Sequence, residues 1–345
     1  MKPVSNESTD ARVTPQPILD AAWGFAVTRV LTTAIELDVF TAIARGRTTL
    51  EDLAKETSSS PRGLSMLLNA LIALKYLDVR AGRHSLSPVS AAFLTKTSPH
   101  YIGGYVLHNT GDSWSPWAQL SEVVRRGTPA RQSVHGDQAD GEFFSQLVQS
   151  LHTLSADAAA VAASALGKGM PDKARKVLDV AAGSAVWSLA LARENDQTLV
   201  TVVDLPGVVD RVTRRFVEQE GFSDRFTFRP GDLRQMDFGE SCFDVVILGH
   251  ICHGEGAEGT QDLIHRAHRA LRSGGQILIA EMLPDDDRRE PLLPLLFAIQ
   301  MLVLTDNGNA FTLAEYQSWL LNAGFSDVRT VPAPAPSPLI LATRP

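Results

Sequence analysis

The chain has 345 residues, a length that favours two domains over one. Apolar residues make up 44% and charged residues 21%, enough apolar surface to repay ordering, which excludes a disordered chain. Lys and Arg total 32 against 39 Asp and Glu, a net charge of −7, and no dense basic block argues for nucleic acid or an anionic membrane as main partner. Two cysteines make no disulfide framework. Residues 1–12 read as a disordered lead-in without an apolar signal region. The longest apolar stretch, Pro291 to Leu304, is too short to span a membrane, so a cytoplasmic protein is expected.

From Ile18 to Phe40 the text ILDAAWGFAVTRVLTTAIELDVF reads as a helix whose apolar residues surround it. Such a helix needs cover on most faces, and a second subunit is the expected source. Thr48-Thr49-Leu50-Glu51 carries an N-cap and an acidic first turn. Ser60-Pro61 opens a further helix bearing Leu64, Leu67, Leu68, Leu71 and Leu74. Tyr76 to Val79 and Ser85 to Ser87 flank a Gly-containing turn and predict a hairpin. Helices followed by a hairpin form a winged-helix arrangement. Its recognition helix, PRGLSMLLNALIALKYL, offers one Arg and one Lys, too few for phosphate contacts, so a dimerising role is favoured over DNA binding.

Residues 101–170 are expected to be mostly helical, with Tyr101, Tyr105, His108, Trp114, Trp117, Phe143, Phe144 and His152 either lining a pocket or filling a core. From Lys176 the period changes. The runs KVLDVA, LVTVVD, FTFR, DVVILG, QILIAE, DVRTV and PLILAT alternate for the most part with helical text. This pattern predicts an α/β fold with an open, mainly parallel sheet covered on both faces. Only PAPAPS separates the last two strands, so a hairpin and one antiparallel edge strand are expected.

Three acids fall at or just past successive strands: Asp179 before VAAGSAVW, Asp204 in VVDLP, and Asp232 in PGDL. Ligands of such sheets bind outside the carboxyl ends of the strands. A small-residue turn lets a ligand approach backbone N–H groups, and an acid ending the second strand suits ribose hydroxyls. Together they point to a nucleoside cofactor, the alternative being three solvated strand-end acids. His250, Cys252, His253 and Glu255 cluster, yet no second Cys/His group accompanies them, so no metal is expected. Cys242 and Cys252 are expected to be free thiols.

With these pieces in order, the chain resembles the S-adenosylmethionine-dependent O-methyltransferases that carry an N-terminal winged-helix dimerisation domain, the bacterial small-molecule branch above all. The resemblance spans about residues 14–343 and rests on LDAAWGFAVTRVLTTAIELDVF, YIGGY, VLDVAAGS, VVDLPGVV, PGDL, DVVILGHICHGEG, ALRSGGQILIAEMLPDDDR and FTLAEYQSWLLNAGFSDVRT. It implies a Rossmann-like methyltransferase sheet of seven strands and a homodimer. The implied domains are a dimerisation domain over 13–105, a helical linker over 106–170 contributing to the acceptor pocket, and a cofactor-binding catalytic domain over 171–345. It also implies that S-adenosyl-L-methionine is held by Asp179, Ala181, Gly183, Asp204, Leu205, Asp232 and Leu233, with His253 as general base and Glu281 positioning it. Phe144, His152, Phe297, Gln300 and Met301 are candidates for the acceptor pocket, against a plain core stripe.

Three departures from the family pattern bear on function. The loop that normally has glycine at alternate positions reads Ala181, Gly183, Ala185. Ala181 is the milder change. Ala185 adds a methyl at the point of close approach to the cofactor, where glycine would also allow a positive φ. Gly254-Glu255-Gly256 replaces the aromatic and acid that follow the histidine in plant-type members, and Asn309-Ala310-Phe311 lacks their second flanking acid. The first reading is O-methylation of a phenol or enol; S-methylation of a thiol or thioether is the alternative, since a thiolate needs less base assistance. A non-methylating rearrangement or cyclisation on the same fold, or a non-enzymatic regulator, stands behind both.

Overall fold

The computed structural model describes residues 13–111, 113–129, 142–167 and 175–345, with the side chains of 142–146 not described. The expected lead-in, residues 1–12, lies outside the described residues. The chain divides into two compact units, one ending at Ser98 and one starting at Pro99.

The first unit runs α1 (Gln16–Glu36), α2 (Val39–Ala44), α3 (Leu50–Glu56), α4 (Pro61–Ala73), β1 (Leu77–Arg80), β2 (Arg83–Leu86) and α5 (Pro88–Phe93). The single helix expected over 18–40 is interrupted: Asp38 takes φ 58°, a left-handed conformation that Asp tolerates, and the chain turns between α1 and α2. Thr49 caps α3 by accepting from the Asp52 N–H, and Ser60 caps α4 by accepting from the Gly63 N–H. Ala81 and Gly82 both have positive φ, the backbone of a type I′ turn, which joins β1 and β2 in antiparallel register. Ile35, Phe40, Leu53, Leu64, Leu68, Leu71 and Leu77 are buried. By contrast Ile18, Leu19, Trp23, Phe25 and Val27 on α1 are exposed. An apolar groove of about 520 Å³ runs between α1 and α4, lined in part by Val30, Leu37, Leu64 and Leu67. Length and composition alone make α1 capable of crossing a membrane, a property the sequence reading assigned to no segment.

The second unit begins with α6 (Gly103–Thr110), α7 (Trp114–Trp117), α8 (Leu120–Arg126) and α9 (Glu142–Gly167). It continues through β3 (Lys176–Val180), α10 (Val186–Glu194), β4 (Leu199–Asp204), α11 (Pro206–Val208), α12 (Arg214–Gln219) and β5 (Phe226–Pro230). Then follow β6 (Phe243–Gly249), α13 (Cys252–Ala270), β7 (Leu271–Ala280), α14 (Leu292–Leu304), α15 (Leu313–Asn322), β8 (Ser326–Val331) and β9 (Leu339–Thr343). The seven strands order as β5-β4-β3-β6-β7-β9-β8.

β9 is antiparallel to both its neighbours. The antiparallel strand therefore sits one place in from the edge, where the sequence reading had it at the edge. LILAT is buried at four successive positions and suits an interior place, whereas the mostly exposed β8 suits the rim. One face of the sheet is covered by α9 and α10 through Ala158, Ala162, Leu166, Leu189 and Leu191. The other is covered by α13 and α15 through Leu263, Ile264, Ala267, Tyr316 and Leu320. The chain winds outward from β3 through β4 to β5, then returns to the other side of β3 as β6. The crevice between the carboxyl ends of β3 and β6 is thus the topological switch point, where ligands of such sheets bind.

Candidate functional site

The loop leaving β3 carries three left-handed residues at alternate positions: Ala181 at φ 54°, Gly183 at φ 55° and Ala185 at φ 57°. Each non-glycine residue in that region costs about 1–2 kcal/mol, so Ala181 bears the same strain as Ala185 and is not the milder change it looks to be in sequence. The Ala185 methyl is fully buried and packs in the cluster holding Trp187 and Leu189. The loop is held through its own main-chain groups, on one backbone and two side-chain partners. Ala181 N–H donates to Val203 O at 2.8 Å, and Gly183 N–H donates to Asp204 Oδ2 at 2.8 Å. Thr213 Oγ1 donates to Gly183 O at 2.7 Å.

Asp204 at the end of β4 also accepts from Leu205 N–H through Oδ1 at 2.7 Å. Burial raises its pKa, while the two N–H donors pull the other way. Leu205 packs against Val148, Val208 and Val212. Asp179 is buried, and burial pushes its pKa up to about 7 against the Ser188 hydroxyl, which donates to Oδ2 at 2.5 Å. Its Oδ1 is buried without a hydrogen-bond partner. Asp232, in the loop after β5, caps its own turn by accepting from Arg234 N–H at 3.0 Å. Leu233 O is held by the Arg266 guanidinium at 2.7 Å.

Across the crevice, β6 ends at Gly249, where an added Cβ would lie 2.5 Å from Trp187 Nε1. His250 follows in a left-handed conformation (φ 58°), with its N–H on Ala280 O at 2.9 Å. Burial lowers the pKa of its ring. His253, in the first turn of α13, sets Nδ1 2.8 Å from Glu281 Oε2 and its own backbone N–H 3.2 Å from Glu281 Oε1. Burial would raise the pKa of Glu281, but the nearby His253 and His250 rings and these hydrogen bonds hold it below the usual carboxylate value. A carboxylate on Nδ1–H fixes the neutral tautomer and leaves the Nε2 lone pair for an outside proton. Phe297 of α14 meets the His253 ring edge to face, with centroids 4.8 Å apart.

The expected pocket residues divide. Gln300 donates to Ser113 Oγ at 2.8 Å and accepts from the Trp117 indole N–H, so its amide is spent on protein. Met301 is buried. His152 reaches the loop after β3: its Nδ1 lies 3.0 Å from Ser184 Oγ, its ring stacks on Phe216 at 4.5 Å, and burial lowers its pKa to about 4. Phe144 lies on α9 with its side chain outside the described residues. The sequence reading missed Ser188, Thr213 and Arg234; only Arg234 had a signal, as a cation next to the PGDL acid. Cys242 is exposed and Cys252 buried, both free thiols. Among the described residues no group of three or more His, Cys, Asp or Glu is placed to hold a metal ion.

The donor set of the β3 and β4 ends fits a cationic nucleoside. An orphaned buried carboxylate oxygen accepts a cation's N–H groups, Asp204 retains lone pairs for a diol, and at Gly183 an added Cβ would meet nothing nearer than Val148 at 4.0 Å. The comparisons with known proteins agree with that chemistry. Residues 117–326 match the model of an O-methyltransferase domain, and residues 19–96 match an O-methyltransferase dimerisation domain. The chain is 32% identical over 338 residues to the tetracenomycin polyketide synthesis 8-O-methyltransferase of Streptomyces glaucescens, covering 96% of this chain and 97% of that protein. It is 33% identical to the 3-hydroxy-5-methyl-1-naphthoate 3-O-methyltransferase of Streptomyces sahachiroi, covering 92% and 91%. The crystal structure of human N-acetylserotonin methyltransferase in complex with SAM superposes with a TM-score of 0.81 at 26% identity, covering 97% of this chain and 99% of that one. The chain belongs to the S-adenosylmethionine-dependent O-methyltransferase family with an N-terminal dimerisation domain.

Proposed function

We propose that this chain methylates a hydroxyl of a small aromatic acceptor, with His253 as general base. The carrying observation is the His253–Glu281 pair: a carboxylate on Nδ1, 1% exposed, beside a ring that is 21% exposed. S-adenosylmethionine supplies the methyl on a sulfonium, where a displacement needs alignment above all. Asp179, Ala181 and Gly183 would hold its amino-acid end, Asp204 and Leu205 its ribose, and Asp232 and Leu233 its adenine. Nε2 of His253 takes the hydroxyl proton as the oxygen attacks. Glu281 then stabilises the imidazolium. Phe297 fixes the plane of the His253 ring, and Gln300, braced by Trp117 and Ser113, stiffens the helix that carries Phe297 and Met301.

Two features favour a hydroxyl over a thiol or thioether. The pair is built to remove a proton, and the relatives named above act on oxygen. The exposed apolar face of α1 and the groove beside α4 support a homodimer formed through residues 13–105, with 106–170 contributing to the acceptor pocket and 171–345 binding the cofactor. A dimer contact also accounts for the apolar length of α1 without a membrane, in keeping with a cytoplasmic enzyme.

The test is His253→Ala with 3-hydroxy-2-naphthoate and related phenols as acceptors. kcat is expected to fall about 100-fold or more, the usual worth of a positioned base. Titration calorimetry with S-adenosylhomocysteine is expected to show an unchanged Kd. Full activity in the variant removes the base assignment.

A further inference from the structure

Glu255 stands two residues past the base, on the same turn, in the stretch where this chain departs from its plant-type relatives. That turn is not continuous with the body of α13. Gly256 adopts φ 71° and ψ 179°, which breaks the helix after Glu255, and an added Cβ there would lie 2.8 Å from Asn307 O. The turn must therefore be held from outside. Glu281 holds its front, through the His253 ring and N–H. Asn309 N–H donates to His253 O at 2.9 Å, and Thr260 Oγ1 donates to Cys252 O at 2.9 Å. Asn309-Ala310 adds no carboxylate to the ring.

A further tie leads to the Asp232 loop. Arg234 Nε donates to Glu255 Oε2 at 2.8 Å, and Nη2 donates to Oε1 at 3.0 Å. This is a two-pronged pair, with the Glu255 side chain only 11% exposed and Arg234 45%. Fork geometry and partial shielding separate it from the ordinary surface pair, whose worth is close to nil. The loop carrying Arg234 is pinned at its other side to the body of α13. Arg266 donates to Leu233 O and Met236 O, and its guanidinium lies 4.1 Å over the Phe238 ring. Arg266 thus fixes the loop to the helix beyond the break, and Arg234 fixes it to the turn before the break.

We propose that Arg234 and Glu255 are positioning residues, whose ion pair couples the loop expected to take the adenine of the cofactor to the turn that carries the base. The inference rests on the cofactor and base assignments above. Ordering of the Asp232 loop by the nucleoside then orders the His253 turn, so the base is aligned only when the cofactor is in place. Displacement of the turn by about 1 Å would suffice to cost rate, since methyl transfer depends on near-attack geometry.

The experiment uses S-adenosylhomocysteine as probe and the ring resonances of His253, assigned with His253→Gln. In the wild type, adding the probe is expected to shift the His253 signals. Glu255→Gln and Arg234→Gln are expected to weaken probe binding about threefold to tenfold, a coupling typical of residues in contact, and to abolish the His253 shift. The exchanged pair, E255R with R234E, is expected to restore both at least halfway. Single variants that fold, bind the probe and still shift His253 as the wild type does overturn the proposal. If the single variants fail to fold, the exchanged pair decides: a folded double variant with no His253 shift overturns it, and one with the shift supports it. A wild type that does not bind S-adenosylhomocysteine brings down the cofactor assignment instead, and with it the premise of this coupling.

Discussion

The loop after β3 and the turn after β6 face each other across one crevice, and both contain residues bent into left-handed backbone without glycine. They are restrained in different ways. In the first, the main-chain groups of the strained loop are held by Val203 O, Asp204 Oδ2 and Thr213 Oγ1, and the Ala185 methyl is sunk into the core. In the second, a left-handed His250 leads into a turn fixed chiefly by side chains: Glu281 on His253, Arg234 on Glu255. A loop held through its own main-chain groups suits the cofactor surface proposed for it. A turn held through its side chains suits the proposed base, because the carboxylate on Nδ1 orients the imidazole. On the proposed assignment, a shared backbone geometry serves cofactor binding on one side and proton transfer on the other.

Removing the carboxylate that ties the loop together is the strongest blow to the first region. Asp204→Ala is expected to raise the Kd for S-adenosylmethionine at least about tenfold, since hydrogen bonds to a charged group are worth roughly 1.5–3 kcal/mol. An unchanged Kd by calorimetry would show that the backbone cradle stands without its acid. Asp179 tests the same region through pH. Its native pKa of about 7 lies above its ordinary value of 3.8, so the folded state holds a proton that the unfolded state releases in this window. Stability owed to that proton is full below about pH 4 and is lost as pH rises towards 7. Asp179→Asn, which keeps the neutral shape, should nearly match the wild type in urea unfolding at pH 4 and exceed it at pH 7 by about 3 kcal/mol. Equal stability at both values would mean that Asp179 titrates normally. The smallest effect concerns the alanines. Ala181→Gly should gain about 0.5–1 kcal/mol by relieving left-handed strain, net of the added chain entropy. Ala185→Gly should gain less, because it gives up a fully buried methyl. Equal gains in thermal unfolding would remove the distinction between the two sites.

The sheet was legible because buried parallel strands leave continuous apolar runs such as KVLDV and DVVILG, and strand-end acids stand out against them. The cap at Thr49 and the helix start at Ser60-Pro61 were legible because such signals are local. The break at Asp38 was not, since one residue's φ leaves no mark on an apolar pattern. Nor was the inward place of β9, which depends on the pairing of strands far apart in the chain. The same holds within the site. Ser188 on Asp179 and Glu255 on Arg234 join positions 9 and 21 residues apart, and only the folded crevice brings such side chains together. The left-handed state of Ala181 was obscured for a different reason: alanine gives no sequence hint of a conformation it adopts under duress.

The contact between Gly249 and Trp187 constrains how this corner can change by descent. The indole occupies the volume that any side chain at position 249 would need. A larger residue at 249 is therefore tolerated only in a lineage where position 187 has already become small, while Trp187 can shrink first and leave only a cavity. Order of substitution therefore matters here: one of the two mutational routes passes through a clash, and the other stays open.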